Sequence, residues 1–257
     1  MSAARTRMPV AGVAESLLVF LAIMALWWLA SHQEWVSKVF LPTPEATLAS
    51  LKEGLFKGAL VGNSIDTINR MLLGWLLASL FGIALGAMIG ISATARAWLQ
   101  PTLEFIRPLP ASAIMPLAIS IFGLNASMVL FVVAFGSMWP VLLATVHGFA
   151  TVQPRLREVA DALQMSRAMF SWKIALPSAM PDILAGMRLS MTVSLIIAVV
   201  GEMIASQSGL GQAVLLAARS FRASELFAGV VLLGAIGFAA NALLALAERK
   251  LLRWQRP

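Results

Sequence analysis

Apolar runs long enough to cross a membrane recur along this chain, at 13–30, 68–91, 128–149, 185–204 and 226–247. A helix of about 18 apolar residues spans the hydrocarbon layer. No water reaches the backbone there, so each run must close its own hydrogen bonds as a helix. The composition agrees: of 257 residues, 60% are hydrophobic and 12% charged, with a mean hydropathy of +0.86. The expected fold class is an all-α integral membrane protein with 1–257 as a single membrane domain.

Several chemistries drop out early. Cysteine is absent, and His32 and His147 are the only histidines, so no metal site is expected. The formal charge is +7, but the basic residues sit at the ends of apolar runs, where membrane topology puts them, and no nucleic-acid partner is expected. No Gly-Lys pair occurs, so there is no phosphate-cradling Walker loop. Ser208-Gly-Leu-Gly211 contains Gly-x-Gly without a preceding strand and reads as a tight turn. No catalytic residue is expected.

Arg5 and Arg7 precede the first run, which is longer than the core of a cleaved signal peptide. It reads as a retained span with its N-terminus in the cytoplasm. An external loop follows over about 31–66, in which Leu41-Pro-Thr-Pro44 leads into one surface helix. In the second span Gly74, Ala78, Gly82, Gly86 and Gly90 form a ridge of small residues that lets another helix approach, in this chain or in a second subunit. Residues 92–101 read as a short polar turn. Between 105 and 122, Pro108, Pro110 and Pro116 would break a continuous helix, so this segment is predicted to be short, irregular and interior. Pro140 predicts a kink in the span at 128–149.

Charge decides whether 105–122 crosses. With six crossings, 13 of the 19 Lys and Arg lie inside: Arg5, Arg7, Arg96, Arg107, Arg155, Arg157, Arg167, Lys173, Arg188, Arg249, Lys250, Arg253 and Arg256. Five crossings would put the last four outside, against the positive-inside bias. The expectation is six transmembrane helices with both termini cytoplasmic.

One long stretch is polar and helix-patterned, at about 151–182. Pro154 suits a first helical turn, and Leu156, Val159, Ala160 and Leu163 follow on one face. Arg155 with Glu158, and Arg157 with Asp161, are spaced for helix ion pairs. Ser166 is placed to cap a second helix carrying Met169, Trp172 and Leu176, which Pro177 and Pro181 are expected to end. The pair is either a docking surface in water or an amphipathic loop lying on the membrane.

Glu158-Val159-Ala160-Asp161, then Gln164, then Ile174-x-Leu176-Pro177 resembles the EAA loop of ABC-importer permeases, whose pattern is Glu-Ala-Ala, three residues, Gly, nine residues, Ile-x-Leu-Pro. Every gap length matches; Val159 replaces the first Ala and Gln164 the Gly. The Leu-Pro-x-Pro stretch at 41–44 and Glu202-Met-Ile-Ala followed by Ser208-Gly-Leu-Gly211 are similar to the nitrate, sulfonate and taurine branch. The resemblance runs over 41–254. It implies a MetI-like ABC permease fold, a multi-pass place in the bacterial inner membrane, and a loop that couples to an ATPase through Glu158, Val159, Ala160, Asp161, Gln164, Ile174, Leu176 and Pro177.

The same resemblance implies two ATPase subunits that hold ATP and Mg, a second permease copy, an external solute-binding protein, surrounding lipid, and a small anionic solute of the sulfonate, nitrate or taurine kind. No cofactor is expected in this chain. Candidate pathway residues are Ser112, Asn125, Ser190, Ser194 and Glu202. An ionisable group within a span faces a cavity or a partner, and Glu202 could instead pair with Arg219 or Arg222. The alternative function is a stand-alone secondary transporter or channel, which would be expected to carry a set of ion-coupling carboxylates.

Overall fold

The structure, a computed structural model, describes residues 10–106 and 109–252, with side chains placed except at 10–14, Gln100 and Ser112. It forms two compact units, one within 1–59 and 214–232 and the other within 60–213 and 233–257. All regular secondary structure among the described residues is helical, without strands. In order they form α1 Val10–His32, α2 Pro44–Phe56, α3 Leu60–Ile91, α4 Ala93–Ile106, α5 Ala111–Phe122, α6 Ala126–Ala150, α7 Pro154–Ala162, α8 Arg167–Phe170, α9 Leu176–Ala205, α10 Leu210–Arg219 and α11 Ala223–Leu251. A π segment, Ser171–Ala175, joins α8 to α9.

Five of these helices are long and apolar enough to cross a membrane: α1, α3, α6, the α8–α9 rod and α11. The remaining predicted crossing coincides with α5. Its 12 residues rise about 18 Å, against a hydrocarbon thickness of about 30 Å. The segment is short as predicted but regular, because Pro116 is accommodated within the helix and Gly123, at φ 75°, ends it. Residues Arg107 and Pro108 lie outside the described residues.

Two boundaries differ from expectation. Residues 93–106, expected as a turn at their start, form α4. Ser92 Oγ accepts from the Ala95 backbone N–H at 3.2 Å, and Arg96 donates to the Gly90 carbonyl, so the two helix ends are tied together. Pro177 and Pro181 do not end the helix begun at Ser166. In the π segment the Leu176 N–H donates to Ser171 O, five residues back. The register skip falls where the next residue, Pro177, has no N–H to place, so the chain continues into α9. Pro140, where a kink was expected, lies inside α6.

In the first unit, Thr43 caps α2, its Oγ1 accepting from the Ala46 N–H at 3.2 Å, with Pro44 in the first turn. Trp27 Nε1 donates to Pro42 O at 3.0 Å and Trp28 Nε1 to Glu45 Oε1 at 3.0 Å, which fastens the entry of α2 to the end of α1. The Glu45 carboxyl is held below the ordinary carboxylate range by its own backbone N–H at the helix start, with the Trp28 and Thr43 hydrogen bonds and His32 adding to the effect.

The second unit is built on α3, α6 and α9. The small-residue ridge of α3 is buried and faces α6 of the same chain, which answers the question of its partner. A Cβ at Gly86 would lie 2.6 Å from Thr145 Cβ, and one at Gly90 2.7 Å from Phe149 Cβ. Met71, Trp75, Met128, Val129, Val132, Val133, Met191 and Ala198 fill the core between the three helices. Trp75 Nε1 donates to Met187 O at 2.9 Å, so its polar edge is satisfied within the apolar layer.

Candidate functional site

The polar loop folds as two short helices. Pro154 stands in the first turn of α7, and Ser166 caps α8, its Oγ accepting from the Met169 N–H at 3.2 Å. Between them the chain reverses in a Schellman turn. The Met165 N–H donates to Ala160 O at 2.9 Å and the Gln164 N–H to Asp161 O at 3.0 Å. That geometry needs a left-handed residue at 164, and Gln164 adopts it at φ 50°. A non-glycine residue there stores about 1–2 kcal/mol of strain.

Relief of that strain is measurable. Gln164→Gly removes it but adds about 0.5–1 kcal/mol of entropy to the unfolded chain. The expected net gain is about 0.5–1 kcal/mol, seen as a raised thermal midpoint of the purified protein, whereas Gln164→Val should lower it.

The loop is anchored by its inner face. Ala160 is buried and Leu156 half-buried. Phe149 and Val152 at the end of α6 and Ala175, Ala179 and Ile183 at the start of α9 form one cluster, with Leu156, Phe170, Ile174 and Leu176 packed against it. Such a close-packed cluster transmits displacement instead of absorbing it. Val159 and Leu163, expected on the inner face, are 51% and 69% exposed. The reason is local: α7 stops at Ala162, so Leu163 leaves the helical register, and Val159 lies on the flank. With Trp172, 73% exposed, they give the loop an outward apolar surface.

Around that surface Glu158, Asp161, Gln164 and Pro177 are exposed. The ion pairs expected within α7 are not among those of the described residues, which join Glu34 with Lys38, Arg70 with Glu202, Arg188 with Glu248 and Arg222 with Glu225. Arg155, Arg157, Glu158 and Asp161 are exposed, and Arg157 and Asp161 help line a pocket with Ile91, Ser92 and Ala93.

The proposed pathway residues are occupied by internal contacts. Ser190 and Ser194 are fully buried; Ser190 Oγ donates to Ser137 O at 2.6 Å and Ser194 Oγ to Met191 O at 2.8 Å. Asn125 caps α6, its Oδ1 accepting from the Met128 N–H at 2.9 Å. The side chain of Ser112 lies outside those described. Beside these residues, Ala111, Gly136, Trp139, Pro140, Val193 and Ile197 help line a cavity of about 490 Å³.

Glu202 is fully buried and pairs with Arg70 of α3, not with Arg219 or Arg222. Arg70 Nη1 donates to Glu202 Oε1 at 2.8 Å, while Oε2 accepts from Thr67 Oγ1 at 3.0 Å and from the Gly211 N–H at 2.9 Å. Arg70 also donates to the Ser208 carbonyl, and Thr67 Oγ1 accepts from the Leu210 N–H at 2.9 Å. The Ser208–Gly211 turn is thus folded over the carboxylate, with Gly209 at φ 150°. Sequence reading missed Thr67 and Arg70, although the signal was there: Arg70 is the one cation within α3 and Glu202 the one carboxylate in the apolar part of α9.

Residues 78–254 match the family described as binding-protein-dependent transport system inner membrane component. A Bacillus subtilis protein named as an aliphatic sulfonates transport permease, SsuC, is 33% identical over 95% of this chain and 88% of its own. The taurine transport system permease TauC of Escherichia coli is 30% identical over 90% and 86%, and the bicarbonate transport system permease CmpB of Synechococcus elongatus 28% over 96% and 89%. Among solved structures, an inward-facing MetNI methionine ABC transporter aligns with a TM-score of 0.66 at 15% identity, covering 77% of this chain and 96% of that one. An amino acid ABC transporter aligns at 0.61 and 22% identity, covering 78% and 97%. The fold is therefore the MetI-like ABC permease fold.

Proposed function

Because the chain belongs to the family of binding-protein-dependent transport system inner membrane components, and is thus an inner-membrane ABC transporter permease and not an enzyme, we propose that the loop at about 151–182 is where an ATPase subunit drives it. The observation that carries this reading is the two-sided build of the loop. Leu156, Ile174 and Leu176 tie it to α6 and α9, and Ala160 is buried, while Glu158, Val159, Asp161, Leu163, Gln164, Trp172 and Pro177 are exposed. A partner that moves this surface moves α6 and α9 as one body.

Two ATPase subunits hold ATP and Mg, and this chain holds neither. A second copy of the chain completes the pathway, since one coupling loop engages one ATPase. An external binding protein delivers the solute, for which the relatives' names favour a small organic or inorganic anion of the sulfonate, taurine or bicarbonate kind. Of the residues proposed for the pathway, Ser112, Asn125, Ser190, Ser194 and Glu202, the buried ones act in this reading by shaping the helices around it.

The docking claim is tested by Val159→Asp and Leu163→Asp. Both sites are exposed, so folding and thermal midpoint should hold, while the apolar contact to the ATPase is lost. A central apolar contact is worth about 2 kcal/mol, more than tenfold in affinity. ATP-driven uptake and copurification of the ATPase should both fall by at least about tenfold. Uptake at the level of the unaltered protein in both variants would remove the proposal.

A further inference from the structure

Helix α11 meets α9 through polar ties: Asn241 Nδ2 donates to Thr192 Oγ1 at 3.3 Å, and Arg188 pairs with Glu248. Between these ties and α3 lies a cavity of about 380 Å³ whose walls include Ile68, Met71, Met191, Ala240, Leu243 and Ala247. No polar side chain lines it, so water gains nothing by entering. Within the bilayer, hydrocarbon is the solvent that fills such a space.

The charges at one end of the crevice select the headgroup. Ala240, Leu243, Ala247 and Lys250 succeed one another at three- and four-residue spacing, so the exposed Lys250 stands on the same face of α11 one turn beyond the apolar wall. Arg188, one turn before Met191 on α9, is taken up by Glu248, so the free positive charge at this end stands on α11. Arg249 adds a second cation in the last turn of α11, and neither it nor Lys250 takes part in the ion pairs of the described residues. By the positive-inside bias this end faces the cytoplasm.

The geometry points to a binding site for one inner-leaflet phospholipid with an anionic headgroup, its acyl chain lying between α3, α9 and α11 and its phosphate over Lys250. Charge complementarity sets the lipid class and the crevice sets the position. Occupied, the site fills the space between α11 and the α3–α9 pair, so it fixes how far α11 can approach when the helices shift.

The test uses the full chain reconstituted in phosphatidylcholine vesicles doped with chain-labelled nitroxide phosphatidylglycerol or phosphatidylcholine, and electron spin resonance to read the immobilised fraction. Phosphatidylglycerol should be immobilised at least about threefold more strongly. Ala240→Phe, which fills the crevice, should abolish that preference, and Lys250→Gln should reduce it while the thermal midpoint is kept. Equal immobilisation of the two lipids, or a preference unchanged in both variants, would overturn the site. The natural chain has no cysteine, so Leu243→Cys supplies a further check: a disulfide formed between two copies in the vesicles would show that a second chain fills the crevice, and would also overturn it.

Discussion

Arg70→Met is expected to lower the stability of the detergent-purified protein by about 3–5 kcal/mol, since it leaves a fully buried carboxylate without its counter-charge. Glu202 has no exposure and the Arg70 side chain only 14%, so solvent cannot take over. Replacing both, as Arg70→Met with Glu202→Leu, should recover part of the loss, because the unpaired charge is gone. Recovery should stop short, since the Gly211 N–H and the Thr67 hydroxyl lose their acceptor at about 1–3 kcal/mol per buried group left unpaired. Thermal unfolding of the two single variants and the double gives the coupling directly. Unfolding of Arg70→Met at the unaltered midpoint would mean that the pair does not hold α3 to α9. Glu202→Gln separates the two roles considered for this residue: as a tie it should cost stability, and as a pathway group it would change uptake at unchanged stability.

The second large effect concerns the α3–α6 contact. Gly86→Leu should destabilise by 3 kcal/mol or about that, the upper part of the range for overpacking. Its Cβ alone would stand 2.6 Å from Thr145 Cβ and 2.7 Å from Leu142 O, and the second of these is backbone that α6 cannot yield without moving as a whole. Gly62 in the same helix is the control. A Cβ there meets nothing within 4 Å, so Gly62→Ala should gain up to about 1 kcal/mol from helix propensity. Thermal midpoints of the two variants should move in opposite directions; a shared direction would show that the ridge is not a packing surface.

Much of this was legible beforehand because it depends on local pattern. Hydropathy located α1, α3, α6, α9 and α11 to within a few residues at most ends, though α3 begins at Leu60 and α9 at Leu176, eight and nine residues before their apolar runs. The Pro154 start, the Ser166 cap and the small ridge of α3 were each readable from a handful of neighbouring residues. The family pattern carries a glycine at 164, the residue type that a left-handed turn favours, but only the structure shows that Gln164 adopts that conformation. Pro177 misled, because a proline stops a helix only if the preceding hydrogen-bond register is kept, and the π segment before it shifts that register by one.

Chain chemistry alone thus determined that this is a bundle of membrane helices with one polar loop, since burial in lipid and helix periodicity are properties of consecutive residues. Only the tertiary structure decided that Glu202 is held by Thr67, 135 positions away, and by Arg70, that the α3 ridge seats on α6, and that Val159 and Leu163 face outward while Ala160 faces in. Those outcomes depend on which side chains meet once separate helices are packed. No local pattern encodes that meeting, because its free energy arises from desolvation and contact between segments far apart in the chain.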